Sequence, residues 1–148
     1  MTMGDFSLNR SNRVRLSRFL KGKDVVLRGI SALQYMELFV EDHFSFDAAK
    51  ACIFVYSTEE MTEGNFDVKR VDDFSNIDYN DEWDILCATL SQVVNDVLAE
   101  PALMHQAILV EALANHYEEQ GHFGEIEVEA VHQAEFEQLK ALAVKFYD

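Results

Sequence analysis

The side chains in this 148-residue chain that could do metal or acid–base chemistry are five histidines and a large excess of carboxylates. His105 and His116 lie about three helical turns apart, too far to hold one metal between them. His116 and His122 flank Gly121, with Glu118 and Glu119 between them, but no His-Glu-x-x-His spacing completes a zinc site. Asp78-Tyr-Asn80-Asp-Glu82 resembles the start of a calcium loop, yet Trp83 stands where the turn glycine belongs. No nucleophile elbow, phosphate loop or dinucleotide fingerprint occurs. The histidines are therefore read as surface side chains. No catalytic, cofactor or metal residue is assigned, and the chain is expected not to be an enzyme. The rival reading is a small transferase or hydrolase in which His116 or His122 works with a nearby carboxylate.

Charge carries more information. Residues 1–30 hold a net +5, from Arg10, Arg13, Arg15, Arg18, Lys21, Lys23 and Arg28 against Asp5 and Asp24. Residues 31–148 hold a net −20, and the whole chain is −15. Such a body repels phosphate backbones and anionic membranes and suits a partner with a basic surface. Only the arm, with Arg10, Arg13, Arg18 and Lys21 along one side of a helix, could touch nucleic acid. The same stripe could instead lie against the acidic body or stay solvated.

The chain is 49% hydrophobic with one proline, a composition that supports a packed core rather than disorder. One domain is expected, divided into a basic arm over 1–23 and an acidic α+β domain over 24–148. No apolar run approaches the ~20 residues of a membrane span, and no signal-peptide core follows the N-terminal charges. A cytoplasmic setting is expected, with Cys52 and Cys87 as buried free thiols.

The elements that would position any site follow from periodicity. A helix is predicted over about 8–20, stopped at Gly22, and a short strand over 24–27. Ser31-Ala-Leu-Gln34 reads as a capping box opening a helix to about Val40. Strands are predicted at 50–57, 66–71 and 83–88, with a short edge strand near 77–79 in the acidic loop 72–82. Thr89-Leu-Ser-Gln92 reads as a second capping box. Pro101 starts a helix that Gly121 ends, and a last helix spans about 126–146, with Val128, Val131, Leu139, Leu142 and Phe146 inward. The expected fold is α+β: a small β-sheet with an N-terminal helix pair, followed by three consecutive C-terminal helices.

Three stretches carry a resemblance. They are Val26-Leu-Arg-Gly-Ile-Ser31-Ala-Leu33, the apolar run 51–56, and Trp83-Asp-Ile-Leu-Cys-Ala-Thr89-Leu through Asp96-Val-Leu98. Over about residues 24–120 this set resembles the C-terminal region of the AbiEi abortive-infection antitoxins and related transcriptional regulators. The resemblance maps a Ser-Ala-Leu helix start onto Ser31, Ala32 and Leu33, and a later segment onto Thr89, Leu90, Asp96 and Leu98. It implies a protein that counteracts a nucleotidyltransferase-like toxin. Family members also carry a DNA-binding winged helix, for which the first 23 residues here are too short.

The expected function is thus a non-enzymatic, protein-binding, antitoxin-like module that occludes a basic partner. The expected contact residues are Asp72, Asp73, Asp78, Asp81 and Glu82, with Trp83 either an aromatic anchor or a core residue. The exposed face of the last two helices is the second candidate surface. An acidic immunity or mimic protein unrelated to AbiEi is the remaining alternative.

Overall fold

The computed structural model describes residues 24–39, 52–61, 65–82 and 85–148, together with Arg18 and Leu20. Val25–Leu27 forms β1, and all three of its residues are buried. Apolar side chains on both faces make this segment a central strand. It pairs antiparallel with β2 (Ile53–Ser57), Val26 opposite Tyr56, and parallel with β5 (Ile85–Ala88), Leu27 opposite Cys87. β3 (Phe66–Arg70) lies parallel to β2, and β4 (Tyr79–Glu82) antiparallel to β5. The sheet order is β3-β2-β1-β5-β4, so the two most polar strands are its edges.

Four α-helices are described with this sheet: α1 (Gly29–Tyr35), α2 (Leu90–Ala99), α3 (Gln106–Gln120) and α4 (Gln133–Lys145). Together they make an α+β mix, but the expected layout is overturned. No helix pair precedes the sheet among the described residues. One helix, α1, sits between β1 and β2, and three follow the last strand. The cause is local. Gly29 takes φ +54°, a left-handed conformation that suits glycine, and turns the chain into α1 directly after β1. The helix then links neighbouring strands instead of standing ahead of them. The helix predicted over 8–20 lies outside the described residues except for Arg18, exposed, and Leu20, buried, both of which are helical.

The two capping boxes fare differently. Ser31 lies inside the first turn of α1, whose N-cap is Arg28. Its hydroxyl accepts from the Phe54 N–H at 2.9 Å, fastening α1 to β2. Thr89 is a true N-cap: its Oγ1 accepts from the Gln92 N–H at 3.2 Å and donates to Asp78 Oδ2 at 2.8 Å. Gln92 does not reach back to Thr89. It accepts from the Asp78 N–H and donates to Asp96 Oδ1, each at 2.9 Å. Thr89→Ala removes the cap and the bond to Asp78 together. It should cost about 1–2 kcal/mol in chemical denaturation; a loss indistinguishable from zero would mean the cap does not hold α2.

Pro101 starts a short 3-10 turn (Pro101–Leu103) before α3, and Gly121 ends α3 in the left-handed conformation. The core joins Val26, Leu27, Ile53 and Val55 of the sheet to Leu33, Val93, Val94, Leu109 and Leu113 of the helices. α4 adds Phe136, Leu139 and Ala143, a narrow stripe. Leu142 and Phe146, expected inward, are exposed because they lie off that stripe, and Val131, also expected inward, is exposed in the 3-10 turn Ala130–His132 that precedes α4. Both cysteines are free; Cys87 is buried, whereas Cys52 is exposed. No helix among the described residues is long and apolar enough to cross a membrane.

Candidate functional site

The predicted contact carboxylates fall on the loop between β3 and β4 and on β4 itself. Asp72, Asp73, Asp78 and Asp81 are all exposed. The loop is held by its own chain. Asp73 Oδ1 accepts from the Ser75 N–H at 2.9 Å and the Ser75 hydroxyl at 2.5 Å. Those bonds, the hydroxyl first, hold the Asp73 carboxyl below its usual range. The Ile77 N–H donates to the Phe74 carbonyl, and the Phe74 ring meets Tyr79 edge-on at 6.3 Å. Asp78 is fastened three ways: its carboxylate to the Thr89 hydroxyl, its N–H to Gln92, and its carbonyl to the Thr89 N–H at 3.0 Å. Asp81 lies on the edge strand opposite Leu86. Glu82 ends β4 opposite Ile85, and Trp83 lies outside the described residues.

None of Asp72, Asp73, Asp78 and Asp81 forms an ion pair with a lysine or arginine among the described residues. Four carboxylates within ten residues, all exposed and none paired with a lysine or arginine among the described residues, give this edge a negative potential. Of the four, Asp78 has a second task in the fold, a role that its place in a charged loop did not signal.

The other expected residues are dispersed. Arg10, Arg13 and Lys21 of the basic stripe lie outside the described residues, and Arg18 is exposed on its helix. His116 is buried against Phe123, and burial lowers its pKa, which keeps the ring neutral. His122 accepts from the Gly124 N–H through Nδ1 at 3.1 Å. Neither histidine is hydrogen-bonded to a carboxylate among the described residues.

Sequence reasoning missed a charged node beneath the sheet. Arg28, 4% exposed, sits one residue beyond β1. Its N–H donates to the Phe54 carbonyl, so by register it shares a face with Phe54, Tyr56 and Asp67. Its guanidinium lies 5.7 Å from the Tyr56 ring centre and 5.9 Å from that of Phe54, and 3.3 Å from Asp67 Oδ1. The Tyr56 hydroxyl donates to Asp96 Oδ2, and Gln92 holds the other oxygen. Burial pushes the Asp96 carboxyl up to about 6; Arg28 opposes that rise, and Glu100 and Glu129 add to it. The signal available in sequence was weak: a lone Arg beside an apolar strand and a lone Asp on an apolar helix.

A cavity of about 280 Å³ opens between α2, the Pro101 turn, α3 and α4, with Leu98, Met104, Leu139 and Leu142 among its walls and Glu135 at its side. The cavity borders the second candidate surface, the exposed face of α3 and α4, which itself carries the exposed carboxylates Glu118, Glu119, Glu135 and Glu137. No protein family matches this chain, and no curated protein or solved structure matches it.

Proposed function

We propose that this chain is a non-enzymatic binding module that covers a basic surface of a partner protein with its β3–β4 loop and β4 edge. The observation that carries the reading is the set of exposed carboxylates at Asp72, Asp73, Asp78 and Asp81, none neutralised by a lysine or arginine among the described residues. Exposed like charges repel one another, so gathering them has a cost that a basic partner relieves. The loop that presents them is braced by Asp73–Ser75 and Asp78–Thr89, which lowers the ordering cost of binding. In the manner that the AbiEi resemblance implies, the partner would be a toxin of the nucleotidyltransferase-like class, inhibited by occlusion.

The test is kinetic. The full chain is immobilised and its partner captured from the source cell. Association is then timed at about 50 mM and 500 mM salt. The rate should fall at least about tenfold as screening removes long-range steering. A rate independent of salt, or a partner with an acidic contact surface, would sink the reading.

A further inference from the structure

We propose that β4 is an acceptor strand, to which an extended, basic segment of the partner adds antiparallel as a sixth strand of the sheet. This rests on the binding reading above and specifies how the edge is used. The ladder shows which backbone groups are free to pair. The Thr89 N–H donates to the Asp78 carbonyl, so residues 78 and 89 form a hydrogen-bonded pair. Antiparallel pairs alternate between bonded and non-bonded. The bonded pairs are therefore 78 with 89, 80 with 87 and 82 with 85. Tyr79 and Asp81 belong to the alternate set and turn their N–H and C=O away from β5, toward the outside of the sheet. Among the described residues no strand lies beyond β4, and Tyr79, Asn80 and Asp81 are exposed.

The chemistry of the occupant follows from the same register. Tyr79 and Asp81 share one face of β4. In an antiparallel sixth strand, the residues opposite them lie on that face and aim their own N–H and C=O at β4. A lysine or arginine opposite Asp81 makes an opposite-charge cross-strand pair, and one opposite Tyr79 can lie over its ring. The acidic character that draws a basic strand also repels a second β4, which is how edge strands avoid pairing with themselves. Backbone bonds then supply affinity, and the alternating basic side chains supply selection.

The probe is an acetylated, amidated octapeptide of alternating lysine and valine, added to the full chain at low salt. Two variants carry N-methyl groups, one on every lysine amide and one on every valine amide. Charge and side chains are the same in all three. Binding of the parent should protect the Tyr79 and Asp81 amides from exchange with solvent. Methylating the lysine amides, which face β4, should weaken binding at least about tenfold. Methylating the valine amides, which face away, should change it less than about twofold. Equal binding by all three would overturn strand addition while leaving charge-driven docking intact. No binding of the parent at low salt also overturns it, and the salt dependence of the captured partner then decides the binding reading separately. The edge of β3 carries Lys69 and Arg70 and could seat on β4 of another copy. Concentration-dependent self-association in sedimentation, abolished by Asp81→Lys, would make that copy the occupant and overturn the proposal.

Discussion

Arg28→Ala should lower the melting temperature by roughly 10 °C at pH 7.5, the shift expected from a loss on the order of 3 kcal/mol. The side chain is buried, so truncation removes its packing on Phe54 and Tyr56 along with the Asp67 pair. It also removes the positive charge that restrains Asp96. The effect should depend on pH, and the sign follows from Asp96. Its folded pKa, about 6, lies above the ordinary 3.8. Between those values the folded chain keeps a proton that the unfolded chain releases, so stability falls as pH rises from about 4 to about 6. Above that window the cost of holding Asp96 ionised is fully present. Without Arg28 the carboxyl rises further, the window extends upward, and the loss should be larger at pH 7.5 than at pH 5. Asp96→Asn keeps groups able to bond Tyr56 and Gln92 and should flatten the slope between pH 4 and 6.5. Melts of the three proteins at both pH values decide the matter. A change under about 2 °C for Arg28→Ala at both would remove the node from the account.

The second large effect concerns rate rather than stability. Asp72→Asn, Asp73→Asn and Asp81→Asn, combined in one chain, should slow association with the captured partner by about tenfold to a hundredfold at low salt. Wild type and variant should converge at high salt. Melting should stay within about 2 °C, because these three carboxylates have no lysine or arginine partner among the described residues and an asparagine at 73 can still accept from Ser75. Asp78 is left in place because it caps the turn into α2 through Thr89. Loss of melting temperature without loss of rate would mean that these side chains serve the fold and not a partner.

What could be read from sequence, and what could not, divides along physical lines. The alternation of Phe66-Asp-Val-Lys-Arg70 marks a half-exposed strand, and it is an edge. Thr89 and Gly121 mark helix ends through local backbone chemistry, and both do so in the fold. Ser31 has the same local signature, but a nearby strand amide claims its hydroxyl, a competition that no local pattern reveals. The helix layout failed for a related reason: whether α1 precedes the sheet or links two strands depends on pairing between residues about 30 apart. The acidic loop was legible because exposure of charge is the default. The Arg28–Asp96 node was not, because its members come from four separate segments, the ends and faces of three strands and helix α2, that only the tertiary fold brings together.

The central claim is that residues 72–82 are what the partner covers. Hydrogen exchange of the full chain, alone and with the captured partner bound, measures this directly. Slowed exchange is expected across 72–82, strongest at Tyr79 and Asp81, with α4 and the cavity beside Leu142 unchanged. Protection confined to α3 and α4, with 72–82 exchanging as fast as in the free chain, would contradict it.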